Sequence, residues 1–251
     1  MILKRRMAAL LAVFLLLGAV PARAASIAVA VAANFTQPAK QLAANFQLAT
    51  GDTVVLSFGA SGTFFTQITQ SAPFEIFLSA DATRPQKLVA MGLGVPGTCF
   101  TYATGKLVLW SATPGFVDGQ GKVLSSGKFK HLAIANPVSA PYGAAAIETL
   151  KALGVYNSVA PLIVTGESIN QTYEFTASGN AELGFVALSQ VIKAQKGSAW
   201  KVPQSLYKPI TQDAVLLKPG ANDKAAQAFL AYLKTPAALA IIRSYGYETA
   251  E

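Results

Sequence analysis

The chain has 251 residues, of which 52% are hydrophobic and 13% are charged, a composition that excludes disordered, coiled-coil and collagen-like chains. It is long enough to form one large domain or two smaller ones, and its single Cys and single His leave no disulfide, no structural zinc site and little basis for a zinc hydrolase. The net charge of +8 would favour a nucleic acid or a membrane as partner only if the basic residues clustered on one face.

The first element is an N-terminal export signal. Lys4, Arg5 and Arg6 precede an apolar run over residues 8–20, and Ala22–Ala24 has the small-x-small pattern that a signal peptidase cleaves. The run is shorter than the roughly 20 residues needed to span a bilayer. We therefore expect residues 1–24 to be removed as a signal peptide and the mature protein to lie free in the periplasm.

Most of the positive charge belongs to this signal. Residues 1–24 hold four basic and no acidic side chains, which leaves 16 basic and 12 acidic residues, a net charge of +4, in residues 25–251. The remaining basic residues are scattered lysines, with Arg84 and Arg243 as the only arginines. Because a nucleic-acid surface needs clustered basic and aromatic side chains, we expect no nucleic-acid partner.

The mature chain begins with strands that alternate with helices. Apolar runs over residues 27–31, 53–58 and 76–78 predict three strands, and apolar residues at helical spacing follow the first two. The first helix is expected to stop at Gly51. Continuous apolar strands joined by amphipathic helices are typical of a parallel sheet covered on both faces.

The same alternation restarts in the middle of the chain. Residues 132–135 and 183–188 predict strands, and residues 144–153 predict a helix. Ser168 and Gln171 have the spacing of a capping box, in which two side chains satisfy free backbone N–H groups at a helix start. Two helices in residues 222–246 have no strand after them, so we expect them to cap the first lobe.

Two further strands are expected to connect the lobes. Thr101–Ala112 leaves the first lobe and Pro209–Lys218 re-enters it, which predicts a hinge of two strands with a cleft between the lobes. The predicted fold class is α/β, with mixed, mostly parallel sheets flanked by helices. We assign residues 25–105 and 216–251 to lobe I and residues 106–215 to lobe II.

Four loops could carry the function, because open α/β sheets bind ligands beyond the carboxyl ends of their strands. Each loop ends at a predicted helix start and offers hydroxyl or amide groups, and none contains Lys or Arg. A guanidinium clamp for phosphate is therefore absent from them. Neutral donors and helix N-termini predict a site for a small, desolvated anion. The loops span residues 32–35, 59–63, 139–143 and 166–170.

Simpler interpretations exist for the same residues. Ser, Thr and Asn before a helix often act only as N-caps, and Tyr142 could pack between the lobes. A secreted hydrolase is an alternative from another class, since Gly59, Ser61 and Thr63 approach a nucleophile elbow. The second glycine is missing, however, and His131 precedes its strand, at the end away from the loops.

At these loops the sequence resembles the periplasmic molybdate-binding proteins of ABC importers, which have the type II periplasmic binding-protein fold. The resemblance covers essentially the whole mature chain, and only the combination of its segments is specific. These segments are VAVAANF (29–35), SFGASGTFFTQI (57–68), APFEIFLSAD (72–81), ANPVSAPYG (135–143) and RSYGY (243–247).

The resemblance implies which residues hold the anion. In that family the oxyanion is bound by polar residues after the first two strands, by the Pro-containing loop and by a backbone N–H at a later helix start. These positions correspond here to Asn34, Ser61, Tyr142 and Ile169, with Ala33 beside the first. Any contact with a metal would run only through the oxygens of the molybdate anion, and no cofactor is implied.

The chain departs from the family pattern at two positions. Many members have Ser where this chain has Asn34, and many carry a ligand tyrosine near position 187, which is Ala187 here. Tyr142 in the Pro-containing loop resembles a variant in which the tyrosine donor comes from that loop. A tyrosine in this loop, together with alanine at position 187, supports Tyr142 as a ligand rather than a packing residue.

The resemblance implies a receptor and not an enzyme. We expect the protein to be a monomer that captures molybdate, and by the same chemistry tungstate, and delivers it to an inner-membrane ABC permease. A receptor for sulfate or another tetrahedral oxyanion is the alternative, because cavity size decides between these anions. A sensor that presents the anion to a membrane receptor is a third candidate.

Overall fold

The computed structural model describes residues 24–194 and 196–249, so the expected signal peptide lies outside the described residues except for its last residue, Ala24. The described strands are β1 (Ser26–Ala32), β2 (Thr53–Gly59), β3 (Ile76–Leu78), β4 (Phe100–Gly105), β5 (Leu107–Ser111), β6 (Leu132–Ala135), β7 (Ile163–Gly166), β8 (Leu183–Ala187), β9 (Ser198–Lys201) and β10 (Ile210–Leu216). The described α-helices are α1 (Thr36–Thr50), α2 (Ser61–Thr69), α3 (Thr83–Ala90), α4 (Pro141–Ala152), α5 (Tyr156–Val159), α6 (Ile169–Ala177), α7 (Leu188–Val191), α8 (Lys224–Tyr232) and α9 (Pro236–Ser244).

Two five-stranded sheets divide the described chain into two lobes. The first sheet has the order β2-β1-β3-β10-β4, with β1 parallel to both neighbours and β10 antiparallel to both of its own. The second has the order β7-β6-β8-β5-β9, with β6 parallel to both neighbours and β5 antiparallel to both of its own. The predicted α/β class with two mixed sheets flanked by helices is confirmed, but each sheet has two parallel and two antiparallel pairings and is not mostly parallel as expected.

The core of the first lobe forms between its sheet and three helices. Helix α1 buries Leu42 and Phe46, one turn apart, and ends at Gly51, whose φ of 83° suits a residue without a Cβ. Phe229 of α8 and Ile242 of α9 join the same core, which confirms that the C-terminal helices cap this lobe.

The core of the second lobe is built in the same way. Leu132 of β6, Phe185 of β8 and Leu107 of β5 are fully buried against Leu150 of α4. Within the part of the chain that the structure describes, no single helix is long and apolar enough to cross a membrane. The bent pair α8 and α9 would suffice by length and composition, but both helices pack into the first core.

The crossings between the sheets differ in detail from the sequence expectation. The predicted strand Thr101–Ala112 is two strands, β4 and β5, with Lys106 alone between them. Strand β10 pairs with β3 and β4 from Ile210 onward, so residues 210–215 belong to the first sheet and not to lobe II as assigned. Apolar patterning marks this segment as a strand, but only its pairing partners show which sheet it joins.

Helix starts also differ from those inferred from the sequence. Helix α4 begins at Pro141 and not at residue 144, because proline is well suited to the first helical turn, where its missing N–H is not needed. Tyr142 is therefore a helical residue and not a loop residue. Helix α3 and strands β7 and β9 were not predicted.

Candidate anion-binding site

The four predicted loops meet at one small cavity between the lobes. The ends of β1 and β2 reach it from the first lobe, and the starts of α4 and α6 reach it from the second. All five residues expected at the anion site line this cavity. The lining consists of Ala32, Ala33, Asn34, Gly59, Ala60, Ser61, Ala80, Ala140, Pro141, Tyr142 and Ile169.

The cavity lining is neutral and withdrawn from solvent. Asn34, Ser61, Tyr142 and Ile169 each expose no more than 3% of their surface, and none of the described lining residues carries a charge. In such surroundings a hydrogen bond to an anion is stronger than in water, because little solvent screens it.

Unpaired backbone N–H groups converge on this cavity. Asn34 lies in a short 3₁₀ helix (Ala33–Phe35) that leads into α1, and Ser61, Tyr142 and Ile169 lie in the first turns of α2, α4 and α6. No hydrogen bond from the N–H groups of these four residues is found within residues 24–194 and 196–249. Three of the four helix starts also lack a side-chain cap. The N-cap interpretation of these three loops is therefore wrong, and their free N–H groups present positive potential to an anion.

Ser61 is held as a hydrogen-bond donor toward the cavity. Its Oγ accepts a hydrogen bond from the N–H of Ala80 at 2.8 Å. A backbone N–H can only donate, so the hydroxyl proton of Ser61 must point elsewhere. No acceptor for that proton is found among the described residues, which leaves it available to an oxyanion in the cavity.

Tyr142 is held in the same way from the other lobe. Its Oη accepts from Nε2 of Gln212 at 3.3 Å, and Gly105 lies so close that a Cβ there would overlap the tyrosine hydroxyl. Burial raises the pKa of Tyr142 well above the ordinary value of 10.0, with smaller contributions from Tyr247 and Tyr102. The hydroxyl therefore keeps its proton as a donor at neutral pH.

The side chain of Asn34 does not act as expected. Both protons of its Nδ2 are directed within the protein, one to Oε1 of Gln212 and the other to Oη of Tyr247, each at 2.9 Å. What Asn34 offers a ligand is its backbone N–H. The side chain instead ties the start of the first helical turn to the hinge strand β10 and to the C-terminal segment.

The start of α6 is fixed by its own contacts. Ser168 caps the helix by accepting from the N–H of Gln171 at 3.5 Å. The Gln171 side chain accepts from the N–H of Glu167 and not from that of Ser168, so the predicted capping box closes one residue earlier. Nε2 of Gln190 donates to the carbonyl of Ile169.

The lobes contact each other directly around the cavity. The N–H of Gly62 donates to the carbonyl of Ser139 at 2.8 Å, and Nη2 of Arg84 donates to the carbonyl of Val138 at 2.9 Å. On the opposite side, Ser189 Oγ donates to the carbonyl of Asn34 at 2.8 Å. These contacts close the described lobes over the cavity.

A larger groove of about 820 Å³ opens beside the cavity and shares Ala80 and Pro141 with it. Its lining includes the charged residues Asp81, Arg84, Lys87, Glu148 and Lys208, whereas the cavity lining is neutral. The neutral and buried cavity fits a small, desolvated oxyanion held by neutral donors better than this charged groove does.

The geometry does not favour the hydrolase alternative. His131 precedes β6 at its amino end, where its ring lies 4.0 Å from Glu182, while Ser61 lies beyond the carboxyl end of β2. A nucleophile and its base must lie within hydrogen-bond reach of each other. Among the described residues, no group of three or more His, Cys, Asp or Glu side chains could hold a metal ion.

Sequence reasoning missed the residues that orient the predicted ligands. Gln212, Tyr247 and Gln190 all contact them, and only Tyr247 lies in a segment that the resemblance singled out. The signal for Gln212 is a buried amide within a strand that is otherwise mostly apolar.

Comparisons with known proteins identify the family of this chain. Residues 27–248 match the family model of the bacterial extracellular solute-binding proteins. A molybdate-binding protein of Rhodobacter capsulatus is 63% identical over 231 residues, 92% of this chain and 91% of the relative. One of Azotobacter vinelandii is 56% identical over 229 residues, 90% of this chain and 91% of the relative. The solved structure of the periplasmic molybdate-binding protein of Azotobacter vinelandii matches with a TM-score of 0.87, 45% identity, and coverage of 90% of this chain and all of that one.

Proposed function

The chain belongs to the bacterial extracellular solute-binding proteins, and from that premise we propose that it captures molybdate between its two lobes and delivers it to an ABC importer. The observation that carries this proposal is the neutral cavity lined by unpaired N–H groups and by two hydroxyl donors. The two relatives that are 63% and 56% identical are both named as molybdate-binding proteins. Tungstate, a tetrahedral dianion of the same form, is expected to bind as well.

The proposed ligand set uses donors from both lobes. Ser61 Oγ and the N–H groups of Asn34 and Ser61 serve from the first lobe, while Tyr142 Oη and the N–H groups of Tyr142 and Ile169 serve from the second. Ala33 lines the cavity beside Asn34. Because the full set exists only when the lobes are closed, the anion stabilises the closed form in proportion to the contacts that it gains there.

Binding requires no chemical step, and the family is one of solute-binding proteins. The anion exchanges its water shell for fixed dipoles at helix starts, which supply positive potential without a counter-charge. Such a site selects by the number and the spacing of its donors. A receptor for sulfate or another tetrahedral oxyanion is the second candidate, because the same donors would fit a smaller anion in a tighter cavity.

The proposal places the protein in the periplasm as a monomer that is released by cleavage after Ala24. The periplasmic relative supports the location, and the basic and apolar N-terminus supports the cleavage. Mass spectrometry of the exported protein should give a chain that starts at Ala25. Light scattering should give the mass of one chain.

A thermal-shift titration tests the function directly. Residues 25–251 are titrated with molybdate, tungstate, sulfate and phosphate at equal concentrations, since a ligand that binds only the folded state raises the melting temperature. Shifts with molybdate and tungstate alone are expected. A shift with sulfate but not with molybdate would establish the second candidate, and no shift with any anion would overturn the receptor assignment.

A transport measurement separates an importer receptor from a sensor. Deletion of the gene should reduce molybdate uptake at low external concentration, and supply of the gene in trans should restore uptake. Unchanged uptake with intact anion binding would instead favour a protein that presents the anion to a membrane receptor.

A further inference from the structure

A buried amide in the hinge strand contacts three residues around the cavity. Gln212 of β10 is fully buried. Its Oε1 accepts from Nδ2 of Asn34 at 2.9 Å and from Oη of Tyr102 at 3.0 Å, and its Nε2 donates to Oη of Tyr142 at 3.3 Å. Gln212 therefore bonds residues of both lobes, although it does not line the cavity itself.

The direction of these hydrogen bonds starts from a group that cannot reverse. The backbone carbonyl of Asn34 can only accept, and it lies 2.8 Å from Ser189 Oγ and 2.7 Å from Tyr247 Oη, which itself lies 3.0 Å from Ser189 Oγ. With its single proton used on this carbonyl or on Ser189, Tyr247 accepts from the Asn34 side chain, which presents its NH₂ group. The second proton of that NH₂ group then requires an acceptor, and Oε1 of Gln212 supplies it.

The orientation of Gln212 in turn sets the role of Tyr142. With Oε1 facing Asn34, the NH₂ group of Gln212 faces Tyr142, whose oxygen must accept. The hydroxyl proton of Tyr142 then has two acceptors within reach, an anion in the cavity and Oη of Tyr247, whose pKa a hydrogen bond with Tyr142 lowers. A reversed amide at Gln212 would draw this proton away from the anion.

A distortion of the sheet supports this arrangement. The register between β10 and β4 shifts between Gln212 and Asp213, so that Tyr102 on β4 has no partner residue. Such bulges often redirect side chains next to functional sites. Here Tyr102 Oη lies 3.0 Å from Oε1 of Gln212 and 3.1 Å from the carbonyl of Ser79, so that these two acceptors share its single proton.

We propose that Gln212 is a positioning residue that sets the hydrogen-bond direction at the anion site, by holding the Tyr142 hydroxyl as a donor across the hinge. This inference rests on the proposed function, because it deepens the role of that same cavity. Tyr247 and the Asn34 side chain supply the fixed end of the series of bonds, and Gln212 transmits its direction from the first lobe to the second.

A double-mutant cycle tests the coupling between Gln212 and Tyr142. Molybdate affinity is measured by calorimetry for the wild type, Gln212→Leu, Tyr142→Phe and the double variant. We expect each single variant to bind about tenfold more weakly, which corresponds to one hydrogen bond to a charged group. If Gln212 acts through Tyr142, the double variant binds no more weakly than Tyr142→Phe alone.

A second variant tests the pH dependence of affinity, which would not change if Gln212 had a purely structural role. In Gln212→Glu the ionised carboxylate accepts the Tyr142 proton and repels the anion, and burial raises the pKa of the new acid. The affinity deficit should therefore shrink as the pH falls from 8 to 6, whereas the wild type should show no such trend. Gln227→Glu places the same change on an exposed side chain of α8 and should leave affinity and pH profile unaltered.

The outcomes separate this inference from the proposed function. Wild-type protein that binds neither molybdate nor tungstate would overturn the proposed function and this inference together. Normal wild-type binding with fully additive losses in the cycle, or a Gln212→Glu deficit that is independent of pH, would overturn the positioning role alone. Melting temperatures of the ligand-free variants show whether each one is folded. If Gln212→Leu does not fold, the pH profile of Gln212→Glu alone tests the positioning role.

Discussion

At the scale of single residues, the candidate site relies on neutral hydroxyl groups that can act toward a ligand only as hydrogen-bond donors. Ser61 and Tyr142 each accept a hydrogen bond from a donor within the protein, so each hydroxyl can offer only its proton to a ligand. This arrangement distinguishes a binding group from a helix cap, which would use its oxygen on the backbone of its own helix. The distinction predicts measurable losses for conservative substitutions.

Ser61→Ala is expected to weaken molybdate binding by about 1 to 3 kcal/mol, the effect of losing a hydrogen bond to a charged group. The substitution also leaves the N–H of Ala80 without its partner, so a small loss of stability should accompany it. Calorimetry measures the affinity. Ser244→Ala, which removes an exposed hydroxyl in α9, is the matched control. Unchanged affinity in Ser61→Ala would mean that Ser61 has only a structural role.

Tyr142→Phe is expected to cause a similar loss of affinity, with the ring still filling its place in the second core. Burial keeps the Tyr142 pKa well above its ordinary value, so the loss should be the same at pH 7 and pH 9. Titrations at both values check this. A variant that binds as tightly as the wild type would show that Tyr142 only packs between the lobes.

At the scale of secondary-structure elements, helix starts deliver the binding groups and also join the lobes. Helix α2 places Ser61 at the cavity and, one residue later, uses the N–H of Gly62 to contact Ser139 in the other lobe. A Cβ at Gly62 would lie 2.8 Å from the Cα of Ser139. The absence of a side chain at this position is therefore a requirement of the closed form and not of the helix.

Gly62→Ala should oppose closure without harming the first lobe. Alanine favours helix by up to about 1 kcal/mol over glycine, so the melting temperature without ligand should stay equal or rise. Molybdate affinity should fall about tenfold or more, because the closed form must move Ser139 away. Calorimetry and small-angle scattering measure affinity and closure. Gly119→Ala, where no atom lies within 4 Å of the added Cβ, is the control; equal affinities in the two variants would contradict the closure argument.

At the scale of the whole molecule, three buried tyrosines make the free energy of unfolding depend on pH in the alkaline range. Burial raises the pKa of Tyr102 and of Tyr142 well above 10.0 and that of Tyr247 to about 12. All three therefore stay protonated in the folded state at a pH where they ionise in the unfolded chain. Between the unfolded-state pKa and the folded-state pKa of each tyrosine, the folded state binds more protons than the unfolded state. The free energy of unfolding therefore falls as the pH rises.

We expect stability to be insensitive to these groups below pH 10 and to decrease above it. Each such tyrosine contributes a slope of about 1.4 kcal/mol per pH unit until its folded-state pKa is reached. Melting temperatures measured from pH 8 to 11.5 check the trend. Tyr247→Phe should make the alkaline slope shallower, and a slope equal to that of the wild type would show that Tyr247 ionises equally well in both states.

Much of the fold and the composition of the site could be predicted from the sequence. Apolar runs such as 27–31 and 132–135 end within one residue of the ends of their strands, and the residues that follow them lie beyond the carboxyl ends of those strands. This alternation of strands and helices is enough to predict that Asn34, Ser61 and Tyr142 lie at one cavity. It did not show that residues 210–215 pair with the first sheet, because pairing depends on partners far away in the chain.

By itself the sequence determined the kind of site: small and neutral, with donors from strand-to-helix loops and without arginine. Only the tertiary structure decided how those donors are oriented. The Asn34 side chain turns to Gln212 and Tyr247, which lie 178 and 213 residues away along the chain, and so gives its backbone N–H to the ligand. The physical reason is that a buried amide proton must find an acceptor, and no local pattern specifies which distant acceptor the folded chain will bring to it.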